Sequence, residues 1–187
     1  MRIIRNIVWV LLLCLACGGR LCAQQLALKT NALMWAAMTP NIEMELVTGE
    51  HSSVSASVFG HKNPWGVESK LIGFQPEFRY WFNGRPMIRE YIGIAAVGAT
   101  YKSHLRSRIY DGDAVGLGLT MGYVLPLGSR FNVEFYGGFG AVAFWQKRYY
   151  PNDLYDDAYV DGNVQTNSHG YKLFPIKLGV SFSYIFK

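Results

Sequence analysis

Gly73-Phe74-Gln75-Pro76-Glu77-Phe78-Arg79-Tyr80-Trp81-Phe82 is the stretch that decides the fold. Phe74, Pro76, Phe78, Tyr80 and Phe82 share one face of an extended chain, and Gln75, Glu77, Arg79 and Trp81 share the other. Successive side chains of a strand point to opposite sides, so this period of two reads as a strand with one apolar and one polar face.

Working outward, the pattern recurs along the chain. In the last segment Phe174, Ile176, Leu178, Val180, Phe182, Tyr184 and Phe186 oppose Lys177, Gly179, Ser181 and Ser183. Val115, Leu117, Leu119, Met121 and Tyr123 oppose Ala114, Gly116, Gly118, Thr120 and Gly122. Ile42, Met44 and Leu46 oppose Glu43 and Glu45; Val54, Ala56 and Val58 oppose serines; Phe131, Val133 and Phe135 oppose Asn132 and Glu134; Leu26, Leu28 and Thr30 oppose Lys29 and Asn31. The segment around Glu90–Tyr101 is small and apolar on both faces, so its register is open. Eight strands are expected, near 26–35, 40–47, 53–60, 73–82, 90–101, 114–124, 131–145 and 173–186. Short turns at Thr48-Gly49, Asn83-Gly84 and Pro126-Leu127-Gly128 alternate with connections at 36–39, 61–72, 102–113 and 146–172, most of them long.

Alternating turn lengths of this kind point to an all-β, eight-stranded antiparallel up-and-down transmembrane β-barrel in the cell outer membrane. A soluble exported β-protein is the competing architecture, and the sign of the alternation discriminates between them. A lipocalin wets its outer face with charged residues. Here the polar face is lean, and its charges nearly cancel: Lys29, Arg79 and Lys177 against Glu43, Glu45, Glu77 and Glu134. Eight strands enclose a lumen just wide enough for side chains, and charges buried there must be paired. Those seven residues are therefore expected to form an interior charge network, with the greasy face toward lipid. Aromatics fall at strand ends on both sides: Phe82, Tyr91, Tyr123, Phe131, Tyr184 and Phe186 beside the short turns, Trp35, Tyr101 and Trp145 beside the long loops. Membrane barrels carry such girdles at the two interfaces.

Residues 1–23 read as a secretory signal peptide, with Arg2 and Arg5 before the apolar Ile7–Ala16 and a cleavage site at Leu21-Cys22-Ala23. The apolar part is too short to span a membrane. A lipoprotein signal at Cys17 is the alternative; Cys14 stands where leucine is usual. Cutting after Ala23 leaves 24–187 as one barrel domain and removes Cys14, Cys17 and Cys22. Arg2, Arg5 and Arg20 leave too, so 15 basic residues face 13 acidic ones, and nucleic-acid binding loses its main support. Across the whole chain 17% of residues are charged and 50% hydrophobic, which excludes a disordered tail. The 12 Tyr, 11 Phe and 20 Gly argue against a helical bundle.

Candidate chemistry is sparse, and neither cofactor nor metal is expected. His51, His61, His104 and His169 lack metal-ligand spacing. The acidic run Asp153–Gly162 lacks the one-three-five spacing of a calcium loop. Ser52 beside His51 and Ser103 beside His104 are sequence neighbours, which in a strand point apart and share no proton, although a serine from another strand could partner either histidine. Lys102, His104, Arg106 and Arg108 are spaced by two, and in a hairpin closing at Asp111-Gly112 they would share a face able to meet lipopolysaccharide phosphates. Lys177-x-Gly179-x-x-Phe182-x-Tyr184 resembles the terminal signal read by the barrel assembly machinery, apart from the final Lys187. Tyr149, Tyr150, Tyr155, Tyr159 and Tyr171 make the loop 146–172 the expected contact surface for a partner whose identity is unknown.

Leu26-Ala-Leu-Lys-Thr-Asn-Ala-Leu33, Thr39-Pro-Asn-Ile-Glu43, Asn63-Pro-Trp65 and Gln75-Pro-Glu-Phe-Arg-Tyr-Trp81 together resemble a Bacteroidota family of small exported outer-membrane β-barrel proteins catalogued as a domain of unknown function. The resemblance implies location and fold and supplies no catalytic residues. It also implies an accessory role in fimbrial or surface-structure assembly, and a cysteine pair in the last long loop that is missing between 146 and 172. The expected role is structural or interactive, as a monomer among outer-membrane lipid and lipopolysaccharide. A lipid-modifying enzyme is the more distant alternative.

Overall fold

The computed structural model describes residues 25–105, 108–149, 159–160, 163–164 and 168–186. Residues 1–23, expected to be a signal peptide, with their cysteines, and Arg106, Tyr150, Tyr155, most of the Asp153–Gly162 run and Lys187 lie outside the described residues. The described chain forms β1 (Leu26–Asn31), α1 (Ala32–Ala36), β2 (Asn41–Val47), β3 (Ser52–Lys62), a 3₁₀ turn (Pro64–Gly66), β4 (Ser69–Trp81), β5 (Arg89–Leu105), β6 (Arg108–Pro126), β7 (Phe131–Tyr149) and β8 (Ser168–Phe186). A two-residue ladder pairs Tyr159–Val160 with Asn163–Val164 between β7 and β8.

The eight long strands form one antiparallel up-and-down sheet, each pairing with its neighbours in sequence. The first strand also pairs with the last, from Leu26 opposite Phe186 to Asn31 opposite Ser181, so the sheet closes into a barrel. Closure leaves no free edge among these strands. No helix among the described residues is long and apolar enough to cross a membrane, which says nothing of strands.

Several elements differ from the sequence expectation. The first strand stops at Asn31 instead of residue 35, because the Asn31 side chain accepts hydrogen bonds from the backbone of Leu33 and Met34 and caps α1. Trp35 therefore sits on a helix and not at a strand end. The connection expected over 102–113 is mostly strand: β5 and β6 stay paired up to Leu105 opposite Arg108, so Asp111 and Gly112 lie inside the ladder and do not close the hairpin. β7 and β8 likewise run past residues 145 and 173 into the expected loop.

Two corrections concern facing. In β5 the ambiguous segment turns Tyr91, Ala95 and Tyr101 to the lumen and Ile92 and Ile94 outward. Tyr91 is buried and bonded to Glu134, and the Tyr101 hydroxyl donates to Gln146 over Gly112 on the luminal face, so neither belongs to an aromatic girdle. In β8 the register against β7 shifts between Pro175 and Lys177. One extra residue at a bulge reverses the facing of everything beyond it. Leu178, Val180 and Phe182 keep the outward face, whereas Phe174 and Ile176 line the lumen with Lys172.

Candidate functional site

The lumen is built in three layers. At the short-turn end the segment between β4 and β5 folds inward, and Met87 packs against Ala27, Ile185 and Val47. Its carbonyl accepts from Asn132 Nδ2 at 2.8 Å. Above it Trp81, Tyr91, Val124 and Tyr136 form a small buried cluster. Trp81 Nε1 donates to Ser53 Oγ at 2.8 Å.

The second layer is ionic. Arg79, at the centre, spreads its guanidinium over carboxylates from three strands. Nη2 reaches Glu43 Oε1 and Glu77 Oε2 at 2.7 Å each, Nη1 reaches Glu45 Oε2 at 2.8 Å and Glu134 Oε1 at 3.1 Å, and Nε donates to Glu77 Oε2 at 2.8 Å. The Arg79 guanidinium also lies 4.6 Å from the centre of the Tyr91 ring. Lys29 bridges Glu45 and Glu134, the latter at 2.5 Å, and Lys177 bridges Glu43 at 3.0 Å and Glu77 at 2.7 Å. Neutral hydroxyls finish the shell: Tyr91 donates to Glu134 at 2.6 Å, Ser53 to Glu45 at 2.5 Å, and Thr120 to Glu77. The structure thus brings all seven charged residues singled out in the sequence into one network. No buried side-chain nitrogen or oxygen among the described residues lacks a hydrogen-bond partner. That matters because an orphaned charge in such a place costs several kcal/mol.

The third layer is a cavity of about 640 Å³, floored by Glu43, Lys177, Gln75 and Tyr136, and open toward the long connections. Its walls are Phe59, Leu71, Val97, Val142, Phe144 and Ile176. This apolar upper lumen is absent from the sequence reading, which expected lean polar residues along the whole inner face. The bulge before Lys177 and the open register of β5 concealed it. Pro175 was the available signal, since proline inside a strand marks an edge or a bulge.

The remaining singled-out residues are dispersed. Lys102 faces outward and pairs with Asp111 at 3.3 Å; His104 faces outward and meets Glu68 at 2.7 Å. Arg108 pairs with Leu105 and so takes the inward phase of Tyr110, apart from Lys102 and His104. In the terminal motif Lys177 belongs to the ionic layer, Phe182 faces outward, and Tyr184 packs edge-on against Phe131 and Phe186. At Gly179 a Cβ atom would come within 2.2 Å of Asn31 and 2.6 Å of the Tyr136 hydroxyl, so any larger residue would have to displace those two side chains. Of the tyrosines expected at the contact surface, Tyr171 is exposed on β8.

No group of three or more His, Cys, Asp or Glu suited to a metal occurs among the described residues. His51 contacts the Trp81 carbonyl oxygen at 2.8 Å and stacks on Tyr80. His61 lies at the mouth of the lumen between Thr39 Oγ1 at 3.1 Å and Ser69 Oγ at 3.3 Å. A serine–histidine nucleophile needs a group that supports the imidazolium. Thr39, a hydroxyl already bonded to the Ala37 carbonyl, gives no such charge.

A family model matches residues 7–186, nearly the whole chain, and the protein belongs to that family, DUF3575, described as proteins of unknown function. No curated protein and no solved structure matches the chain.

Proposed function

We propose that the chain is an integral outer-membrane protein, exported by residues 1–23, inserted as a transmembrane barrel over 24–187, and structural or interactive in role without catalysis. One observation carries this reading: the polarity of the barrel is inverted. The inner face holds Arg79, Lys29 and four glutamates out of solvent, while Leu117, Leu119, Met121, Phe139 and Leu178 stand more than half exposed on the outer face. Continuous apolar surface of this extent is tolerated by lipid or by a protein partner. On β6 the outward apolar positions run from Val115 to Tyr123, matching the roughly nine to eleven tilted residues that cross a bilayer.

The upper rim supports lipid and lipopolysaccharide as the surroundings. Lys62 stands opposite Lys70, Lys70 opposite Lys102, Lys102 opposite Asp111, and Asp111 opposite Lys147, all on the outward face. Like charges directly opposed across strands are destabilising. A row of phosphates just beyond the apolar belt would remove that repulsion by charge-assisted hydrogen bonds. The assembly machinery would read Lys177, Gly179, Phe182 and Tyr184 before the strand closes, and a monomer is the proposed state, because a closed sheet offers no edge strand for pairing with a second copy.

Fractionation of cells followed by electrophoresis with and without boiling tests the reading. The expected result is an outer-membrane protein whose unboiled form migrates faster. A soluble periplasmic protein with no such shift overturns it.

A further inference from the structure

We propose that the upper lumen is a binding site for a single-chain amphiphile with an anionic head, its chain between the apolar walls and its head at Lys172 and Gln146. An eight-stranded barrel normally fills its interior with side chains. This one does so only in its lower half, where Arg79, Trp81, Tyr91 and Tyr136 meet across the axis. Above them the inward positions of β5, β6 and β7 carry Val97, Ala99, Ala114 and Val142, too short to meet, and about 640 Å³ stays open. That volume lies within the roughly 300–1,000 Å³ of small-molecule sites.

The distribution of polarity selects the ligand. The floor satisfies itself: Lys177 is bonded to Glu43 and Glu77, and the Tyr136 hydroxyl to Ser181 at 2.9 Å. It therefore presents a neutralised boundary to the end of a chain and does not call for a second polar group. The walls are mostly aliphatic and aromatic, with Asn31, Asn41 and Ser57 as the polar exceptions on the side of β1 to β3, and water against the apolar part is unfavourable. The mouth is where polarity returns. Lys172 is exposed there with its ammonium 5.7 Å from the Phe144 ring, and Gln146 accepts from the Tyr101 hydroxyl at 2.8 Å. A cation and the Gln146 amide above a mainly apolar sleeve fit a carboxylate or phosphate head on a chain.

This inference rests on the inside of the barrel and not on membrane insertion, so the two fail separately. The full-length chain matured in cells is purified in a non-ionic detergent, and its heat-dependent mobility is recorded first. It is then mixed with dodecanoate or dodecanol, and bound molecules are counted by native mass spectrometry after release from the micelle. One saturable dodecanoate per protein is expected. Val142→Trp, which fills the cavity, removes it while the mobility shift persists; Ala99→Phe serves the same purpose if Val142→Trp does not fold. Lys172→Gln weakens dodecanoate about tenfold, the size of one charged hydrogen bond, and leaves dodecanol unchanged. Absence of saturable binding to the unaltered protein, or equal binding to a folded cavity-filling variant, overturns the proposal.

Discussion

Arg79 and Glu45 meet at 2.8 Å on the barrel axis, and neither side chain is exposed to any degree. They come from different strands, β4 and β2, with β3 between them, so the contact exists only once the sheet has curved. The ion pair thus reports curvature of the sheet across β3, not the pairing of adjacent strands. Because Arg79 also holds Glu43, Glu77 and Glu134, its loss would leave four carboxylates sharing two lysines.

Removing that guanidinium is expected to be among the costliest single changes in the chain. Arg79→Met should destabilise the barrel by about 3–5 kcal/mol, the range for breaking a buried pair from one side. Urea titration of the protein in lipid vesicles, followed by the mobility shift, measures it; a change under about 1 kcal/mol would show that the network carries little stability.

Facing on β8 gives a second contrast. Leu178 is exposed on the outer face and Ser181 is buried in the lumen. Leu178→Arg should cost roughly 2–4 kcal/mol of insertion, as a charge on the lipid side of a membrane barrel does. Ser181→Thr should be tolerated far better, with the Tyr136 hydroxyl bond retained. Equal effects on membrane assembly at the two positions would reverse inside and outside.

Conductance is the third. The ionic layer and the Trp81–Tyr91 pair beneath it, rings 4.9 Å apart, leave the lower lumen filled with buried side chains. Purified protein in a planar bilayer should show no stepwise ion current. Steady single-channel openings in the unaltered protein would contradict a filled lumen.

The lysine row supplies a fourth. Replacing Lys62, Lys70 and Lys102 by Gln should reduce the thermal stabilisation that added lipid A gives the detergent-solubilised protein. Dephosphorylated lipid A should stabilise the original and the triple variant alike. An undiminished response of the triple variant to phosphorylated lipid A would remove the row from consideration.

How much of this was legible beforehand follows from what a period of two can carry. It encodes which face a residue shares with its neighbours, and at the charged positions the structure has the facing that the pattern gives: Lys29, Glu43, Glu45, Glu77, Arg79, Glu134 and Lys177 all turn inward and meet. It carries no phase where both faces are small and apolar, which is why Tyr91 and Tyr101 were misassigned to a girdle. Nor does it announce a bulge, so Phe174 and Ile176 were placed on the wrong side of β8. The Asn31 cap was missed because residues 32–36 continue the apolar composition of the strand, and only the side-chain bonds to Leu33 and Met34 end it. The cavity is the sum of these misses, since two of its walls come from β5 and from β8 above the bulge.

The bulge between Pro175 and Lys177 has one more consequence. Below it β8 answers to the ionic rivet, where almost any exchange breaks a pair. Above it the same strand answers only to the shape of the socket. A single inserted residue thus divides the lumen into a part that must stay as it is and a part free to be re-cut, so that the occupant can be exchanged without rebuilding the barrel that carries it.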